Sequence, residues 1–585
     1  MSDLNQGTWA ENIGNTAPKN NTEQMSATNK TTAAQGTLQT WSPQNCAVLQ
    51  GEQAKETEET KRLKDNFGFF GPATFLYAVF YAFCMYRNRS GVTFPFFVAG
   101  SFLLLYFSLS KLGTTLKRGS VFYMAAMLLL GISTFCTDDG RLIFFNKLGI
   151  FLLMMSLLLN QFFNTSGWKL GKYLLSICQM AVSCFGELER SVTDSVTFWK
   201  KWGINIDKKV WYAVLGLVIA VPVLLIALLL LASADVVFRQ MTGYFLVNIQ
   251  LRDAILVILQ IVAVYFATYA LTAFLCKRNI KETVPDRRKG EPVLAITVTG
   301  LLTLLYLLFS FIQIGGLFLG KMQLPQGYSY AMYAREGFFQ LLAVSLFNLV
   351  IVLVCMSYFK ESRLLKGIMT VMSLCTFIMI ASSALRMVIY IRFYYLTFLR
   401  ILVLWSLAVL ALLFVGVMIS IFRDRFHLFR YSMTVVTVMY LALSFAHPDY
   451  IIARVNVSNA PQQGINLWTE EESLKATDNF SRADMFSGRF FLAAQPYHDY
   501  SYLAGLSADA APILIPYLEE LGYDMGAFYK DSAAAYANIL SEDGVYRGGK
   551  DGFGYYWMER MQSRTENLGI RTFNLSRFWV VQGFK

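Results

Sequence analysis

The amino-acid sequence predicts an all-α integral membrane protein, a bundle of about eleven transmembrane helices. Of its 585 residues, 55% are hydrophobic and only 15% are charged, and the mean hydropathy is +0.43. A soluble domain carries roughly 25% charged residues. The apolar residues also form blocks of about the 20 residues that an α-helix needs to cross a bilayer. Because soluble helices interrupt such blocks with polar residues at helical spacing, the pattern favours membrane spans.

Eleven apolar blocks are long enough to be predicted as spans. They cover residues 67–86, 92–110, 119–136, 148–164, 210–231, 254–275, 293–318, 337–358, 366–390, 397–422 and 428–446. The fourth block is the weakest of them, because it is short and contains Asn160 and Gln161.

The spans divide the chain into three regions. Residues 1–64 are polar, with almost no apolar periodicity, and we expect a disordered cytoplasmic tail. Residues 65–447 form the polytopic bundle. Within it, residues 169–190 have the spacing of an amphipathic helix that lies in the membrane interface or packs against the bundle. From residue 448 to residue 585 charged residues return, which predicts a small, mostly helical, extracytoplasmic soluble domain.

The positions of the lysines and arginines predict the orientation. If the N-terminus is cytoplasmic and the loops alternate, the inner loops contain 26 lysines and arginines and the outer loops contain 12. Positive charge is retained on the cytoplasmic side of membranes. With an odd number of spans the C-terminal domain then lies outside, and this assignment depends on the count of eleven.

Composition and spacing also exclude several classes of function. The net charge of +12 lies mostly in short loops beside apolar blocks, which is a topology signal rather than a nucleic-acid interface. None of the eight cysteines forms a CxxC pair, and the three histidines lie far apart in sequence. The sequence therefore predicts neither a metal site nor a cofactor.

Polar residues gather at the outer ends of the predicted spans. Ten of the twelve outer cations are arginines, whose planar fork suits carboxylate or phosphate. One interpretation is a site for an anionic group, and the other is a set of ion pairs that anchor helix ends. The candidate residues are Asp235, Arg335, Glu336, Arg386, Tyr390, Arg392, Arg400, Asp449 and Arg454.

A nearby acidic pair, Asp138-Asp139, is similar to the pairs of membrane glycosyltransferases. Those enzymes usually carry the pair in their first outer loop. We therefore expect a solvated turn before Gly140.

Four short motifs resemble those of a known family. Residues 233–238 resemble SADxxF, residues 333–342 resemble YARxGFxxL, residues 383–400 resemble SAxxRMxxY…LTxLR, and residues 448–456 resemble PDxxIAxxN. Together they resemble bacterial polytopic membrane proteins of unknown function, domain-of-unknown-function family 4173 and its relatives, over residues 67–525. The resemblance implies a multi-pass protein of the bacterial cell membrane and no known activity. One departure is Tyr394-Tyr395, which stands where the family pattern has Tyr-Gly.

Three functional hypotheses follow, and whether the protein is an enzyme stays open. The first is a cell-envelope or signalling partner with an outward-facing polar site. The second is an enzyme or binder that acts on an anionic lipid, a lipid-linked phosphate or a lipid-linked glycan. Its arginines would contact the anion, and Asp235 or Asp449 would be the acid–base group. The third is a transporter, although the span interiors are nearly free of charge. The predicted partners are membrane lipid and, under the second hypothesis, an anionic lipid or a lipid-linked glycan. No nucleic acid is predicted to bind, and the sequence leaves protein partners open.

Overall fold

The computed structural model describes residues 57–165, 170–201, 207–235, 249–280, 288–315, 337–423, 425–459, 502–523, 553–566 and 568–584, with a few isolated positions besides. Eighteen α-helices lie in these ranges. They are α1 Glu58–Asp65, α2 Phe67–Met85, α3 Thr93–Leu112, α4 Ser120–Cys136, α5 Gly140–Phe162, α6 Leu170–Gly186, α7 Leu188–Lys201, α8 Lys208–Ala234, α9 Ile249–Lys277, α10 Pro292–Gln313, α11 Phe338–Tyr358, α12 Arg363–Tyr394, α13 Phe398–Phe422, α14 Leu428–Phe445, α15 Pro448–Asn459, α16 Ala511–Glu520, α17 Phe553–Thr565 and α18 Leu575–Gly583.

The predicted class of an all-α membrane protein is confirmed. Among the described residues, nine helices are long and apolar enough to cross a bilayer, namely α2, α3, α5 and α9 to α14. The helix α4 is apolar but has 17 residues, and α8 is a 27-residue helix over the fifth predicted span. The chain is therefore a multi-pass membrane protein, and the count of eleven stays a prediction. The fourth span begins earlier than predicted, at Gly140, and reaches 23 residues.

The helix ends collect at two opposite ends of the bundle. At one end, which we call the basic end, Thr57 donates to the Cys276 carbonyl at 2.6 Å and Lys117 donates to the Phe163 carbonyl at 3.1 Å. At the other end, the aspartate end, three of the inter-helix segments lie near one another. These are residues 86–92, 137–139 and 395–397, and the start of α15 lies beside them.

The start of the described chain differs from the prediction. Residues 57–64 were expected to belong to a disordered tail, but they form most of α1, with Leu63 fully buried. The Thr57 hydroxyl accepts from the Thr60 amide, which caps the helix, and Glu59 pairs with Arg278 at 2.8 Å. Docking explains the order of this polar segment. Residues 1–56 lie outside the described residues.

The amphipathic segment at 169–190 is divided between α6 and α7. One face of α6 packs on the bundle, since Tyr173 and Met180 are buried in a core that includes α9. The other face is apolar and exposed, with Leu175 at 65% and Phe185 at 74%. The helix thus has both a bundle contact and an exposed apolar face of the kind that lies in an interface.

The C-terminal helices share a core with the bundle. Trp557, fully buried, packs with Leu514 and Val580 from the neighbouring helices. Leu142 and Phe398, from the aspartate ends of α5 and α13, belong to the same cluster. The described part of residues 448–585 therefore packs directly against the aspartate end of the bundle.

A buried polar contact fixes the helices beneath this end. Asn146 of α5 accepts from Tyr440 at 2.7 Å and from Ser444 at 2.8 Å, both on α14. Ser444 also bonds Ser133 of α4 at 2.6 Å. Hydrogen bonds of this kind between membrane helices hold α4, α5 and α14 in register.

The segment between α12 and α13 has an unusual backbone. Tyr395 has φ 64° and ψ −179°, a region that is occupied essentially by glycine. The side-chain amide of Asn456 bonds both backbone groups of the following residue, Leu396. Its Oδ1 accepts from the Leu396 amide at 2.8 Å, and its Nδ2 donates to the Leu396 carbonyl at 3.0 Å. Tyr395 is the residue at which the sequence departs from the Tyr-Gly of the motif that residues 383–400 resemble.

We expect Tyr395→Gly to unfold at a higher temperature than Tyr395→Ala. Both variants lose the ring, but only alanine keeps the Cβ that strains this backbone, at a cost of about 1–3 kcal/mol. Thermal unfolding of the full chain in one detergent measures the difference. The pair Tyr450→Gly and Tyr450→Ala, inside α15, is the control, and there glycine should be the less stable by about 1 kcal/mol. Equal stability of the two variants at position 395 would contradict the strain.

Candidate functional site

Four buried aspartates gather at the aspartate end from distant parts of the chain. Asp138 and Asp139 lie between α4 and α5, Asp449 is the second residue of α15, and Asp509 precedes α16. Their side chains are 1%, 4%, 1% and 0% exposed. A buried carboxylate needs ion pairs or hydrogen bonds to offset its lost hydration. We call these four residues, with their basic partners Arg141, His447, Arg564 and Arg577, the aspartate cluster.

Asp138 joins the bundle to the last two helices. Its Oδ1 accepts from Arg577 Nε of α18 at 2.7 Å, and its Oδ2 accepts from Arg564 Nη1 of α17 at 2.5 Å. Charge-assisted hydrogen bonds of this length are among the stronger contacts in proteins. The carboxylate therefore links α17 and α18 to the segment between α4 and α5.

Asp139 and Asp449 share one guanidinium group. Arg141 bonds Asp139 through Nε at 2.9 Å and Asp449 through Nη2 at 2.6 Å, and its Cζ lies 4.0 Å from the centre of the Phe398 ring. Asp449 also accepts from the Ser507 amide at 2.9 Å. Burial, reinforced by the charge of Asp139, raises the pKa of Asp449 in spite of Arg141.

Asp509 is held by three donors. It accepts from the Thr137 hydroxyl at 2.5 Å and from the Asp138 amide at 2.7 Å, and His447 Nδ1 lies 3.2 Å away. Burial alone would raise the pKa of Asp509, but the imidazole and these donors outweigh it and lower the pKa. The same hydrogen bond raises the pKa of His447.

The expectation of a solvated turn at Asp138-Asp139 is wrong. Both residues are buried. The C-terminal helices provide Arg564 and Arg577 to Asp138, and Arg141 of α5 pairs with Asp139. In the described part of the chain, no three metal-ligating side chains are grouped so that they could hold an ion. The cluster is arranged to hold segments together.

A cleft lies beside the cluster, where α11, α12 and α13 meet. Its volume is about 280 Å³. It is lined by Phe338, Phe339, Met387, Tyr390, Thr397, Leu399 and Arg400. We call it the arginine cleft.

Aromatic contacts hold the polar side of the arginine cleft. The Arg400 guanidinium lies over the Tyr390 ring at 4.4 Å, and it donates to the Tyr395 carbonyl. The Tyr390 ring stacks on Phe338 at 6.0 Å. The strained turn at Tyr395 thus contributes to the position of the guanidinium.

Arg386 lies behind the cleft in a polar group between α10 and α12. It is 8% exposed and donates to Gln313 at 3.3 Å, and Gln313 also accepts from Ser382 at 2.7 Å. Gly337 has φ 100°, and a Cβ there would lie 2.9 Å from Arg386 Nη1. The glycine in the second motif is therefore required both by the backbone and by the close guanidinium.

The candidate site residues that the sequence predicts lie in several different parts of the structure. Tyr390 and Arg400 lie together in the cleft, and Asp449 lies in the aspartate cluster. Asp235 ends α8, is exposed and accepts from the Phe238 amide at 2.6 Å. Arg454 is exposed on α15. Three other candidates, Arg335, Glu336 and the Arg392 side chain, lie outside the described residues.

Sequence reasoning missed most of the aspartate cluster. Asp509 follows Ser507-Ala508 within the region of resemblance. A charged residue in an otherwise apolar run can indicate a buried polar contact, so the sequence does carry a signal at this position. Arg564 and Arg577 carry no such signal, because they stand among ordinary charged residues and only the fold brings them to Asp138.

The His447–Asp509 pair predicts a pH dependence of stability. Because the pKa of His447 is raised on folding, its contribution is complete below the unfolded value of about 6.5 and is lost as pH rises through the folded pKa. The pKa of Asp509 is lowered on folding, so its contribution is lost only as pH falls through that lower pKa. Between pH 6 and pH 9 the free energy of unfolding of the wild type should fall by about 1 kcal/mol more than that of His447→Gln.

Thermal unfolding of the two proteins across this pH range measures the difference. His427→Gln, at the basic end, is the matched control and should follow the wild type. A His447→Gln variant with the same pH dependence as the wild type would contradict the pairing.

Comparison with known proteins identifies the family but no activity. The family described as "Domain of unknown function (DUF4153)" matches residues 124–517, which is more than half of the chain. The family match is therefore not to domain-of-unknown-function family 4173, the name suggested by the motifs. No curated protein and no solved structure matches the chain. The matched region contains the turn with Asp138, the arginine cleft and Asp509, and the chain belongs to the DUF4153 family of domains of unknown function.

Proposed function

We propose that the protein is a binding partner in the bacterial cell envelope. Its C-terminal helices α16 to α18, with the described residues that connect them, form what we call the cap, on the extracytoplasmic side of the bundle. The observation that carries the proposal is the aspartate cluster. Its four carboxylates are enclosed and are matched by arginine, histidine, hydroxyl and amide donors from both the bundle and the cap. Such a site stabilises an arrangement of segments, and the arginine cleft beside it is the place for a ligand or a partner to bind.

The enzyme alternative is less well supported. Its acid–base group was to be Asp235 or Asp449. Asp449 is 1% exposed and engaged by Arg141 and Ser507, while Asp235 is exposed and caps a turn at the end of α8. Neither residue lines the arginine cleft. A general acid or base must reach the reacting group, so these positions favour binding over catalysis.

The transporter alternative needs a polar site in the interior of the spans, and α10 does not provide one through Thr299 and Thr303. Two buried polar residues in α10, Thr299 and Thr303, donate to carbonyl groups of their own helix. Small polar residues of this kind serve helix packing in membranes. Transport sites usually lie near the midplane with broken helices, and α10 runs unbroken from Pro292 to Gln313.

Labelling of single cysteines on intact cells tests the proposed orientation. In a cysteine-free background, Ile570→Cys lies on the cap, where Ile570 is 94% exposed, and Lys201→Cys lies at the basic end. An impermeant maleimide should label position 570 in intact cells and position 201 only after permeabilisation. The excess of positive charge at the basic end is the physical reason.

The reverse result would place the cap in the cytoplasm and would favour an intracellular signalling partner. Labelling of both positions in intact cells would mean that the number of spans between them is even, which would contradict the predicted topology.

A further inference from the structure

The arginine cleft combines apolar walls with one guanidinium group. Four of its lining residues are apolar, namely Phe338, Phe339, Met387 and Leu399. Tyr390 and Thr397 provide hydroxyl groups beside Arg400. A ligand that fits this surface has an anionic or strongly polar part joined to an apolar part.

The position of the cleft points to the membrane surface. Phe338 is the first residue of α11, Tyr390 lies in the last turns of α12, and Arg400 lies in the first turn of α13. All three helices are long and apolar enough to cross a bilayer. The ends of spans lie at the level of lipid headgroups, where phosphate groups meet the hydrocarbon.

The rim of the cleft is open toward the side of the bundle. Phe339 is 46% exposed and Leu399 is 54% exposed, and the face of α11 that carries Phe339 continues with the exposed apolar side chains of Leu346 and Val350. This surface continues the apolar surface that the spans present to lipid. An acyl chain can therefore reach the cleft from the bilayer without crossing water.

The volume sets a limit on the ligand. Pockets for drug-sized ligands measure about 300–1,000 Å³, and this cleft, at about 280 Å³, is at the lower limit. It can hold a compact headgroup and the first part of one chain, with the remainder of the lipid in the bilayer. A bulky soluble ligand would not be enclosed.

The sequence motifs converge on this cleft. Phe338 and Phe339 belong to the motif at 333–342, and the other five lining residues belong to the motif at 383–400. Two stretches that are distant in sequence thus contribute every lining residue. The turn at Tyr395, held by Asn456, lies between the two parts of the motif at 383–400.

We propose that the arginine cleft binds the phosphate headgroup of an anionic membrane lipid. The Arg400 guanidinium and the Thr397 hydroxyl bond the phosphate oxygens, and Phe339 and Leu399 contact the acyl chain. Arginine suits this task because its planar fork can bond two phosphate oxygens at once. The inference deepens the proposed function by naming the ligand of the polar site, and it does not depend on which side of the membrane the cap occupies.

Binding of three matched ligands to the full chain in detergent tests the proposal. Dioleoylphosphatidic acid has both phosphate and chains, dioleoylglycerol has the chains alone, and glycerol 3-phosphate has the phosphate alone. We expect phosphatidic acid to bind at least tenfold more tightly than either of the others. Equal binding of dioleoylglycerol, or of glycerol 3-phosphate, would overturn the assignment to a lipid phosphate.

Variants locate the binding in the cleft. Arg400→Gln should weaken the binding of phosphatidic acid by about tenfold to a hundredfold, the usual effect of a lost charge-assisted hydrogen bond. Arg400→Lys should restore it only in part. Arg87→Gln, at the same end of the bundle in an exposed pair with Asp253, is the control and should bind as the wild type does.

If the Arg400 variants do not fold, Thr397→Val serves in their place and should weaken binding several-fold, because it keeps the shape of the side chain and removes the hydroxyl. Wild-type affinity in Arg400→Gln, or in a folded Thr397→Val, would overturn the proposal. That result would leave the cap and its orientation unaffected, since these are tested by labelling alone.

Discussion

The burial of four carboxylates at one end of a membrane bundle is the constraint on which the rest of the structure depends. Each buried charge destabilises the fold unless a partner compensates for its lost hydration. For three of the four the partners come from far away in sequence, since Asp138 bonds Arg564 and Arg577, Asp449 bonds Arg141, and Asp509 bonds Thr137. The cap cannot leave the bundle without uncovering these charges, so ion pairing determines where the C-terminal helices lie.

The aspartate cluster and the arginine cleft are connected through one short segment. Phe398 lies under the Arg141 guanidinium, and its amide donates to the Tyr502 hydroxyl at 2.8 Å. Two residues further along the chain, Arg400 lines the cleft. Asn456 of α15 holds Leu396 on the other side. A shift of the cap would therefore move the segment that positions Arg400.

The sequence predicted the class of the fold well, and it predicted the site only in part. Long apolar blocks fix membrane helices with little ambiguity, because a bilayer sets the length that each helix needs. Helix boundaries are harder to predict, as at Gly140, where α5 begins directly after the buried turn with Asp138 and Asp139 rather than after the solvated turn that the sequence predicts. That error has a clear cause, since the burial of an acidic pair depends on segments more than 400 residues away that carry no local signal. Motif positions were more informative, because Gly337 and Tyr395 mark backbone with positive φ and Asp449 and Asn456 both hold neighbouring segments.

Hydrogen exchange of the cap in an Asp138→Asn variant is the most direct test of the claim that the aspartate cluster holds the C-terminal helices. Loss of one partner from a buried ion pair costs about 3–5 kcal/mol, and each 1.4 kcal/mol changes an opening equilibrium tenfold. Amides of residues 553–565 and 575–583 should therefore exchange a hundredfold faster or more, while those in the middle of α5 stay protected. Asp253→Asn, which removes a partly exposed pair with Arg87, should leave the cap unchanged. Wild-type exchange rates of the cap in Asp138→Asn would contradict the claim and would mean that apolar packing alone holds the cap in place.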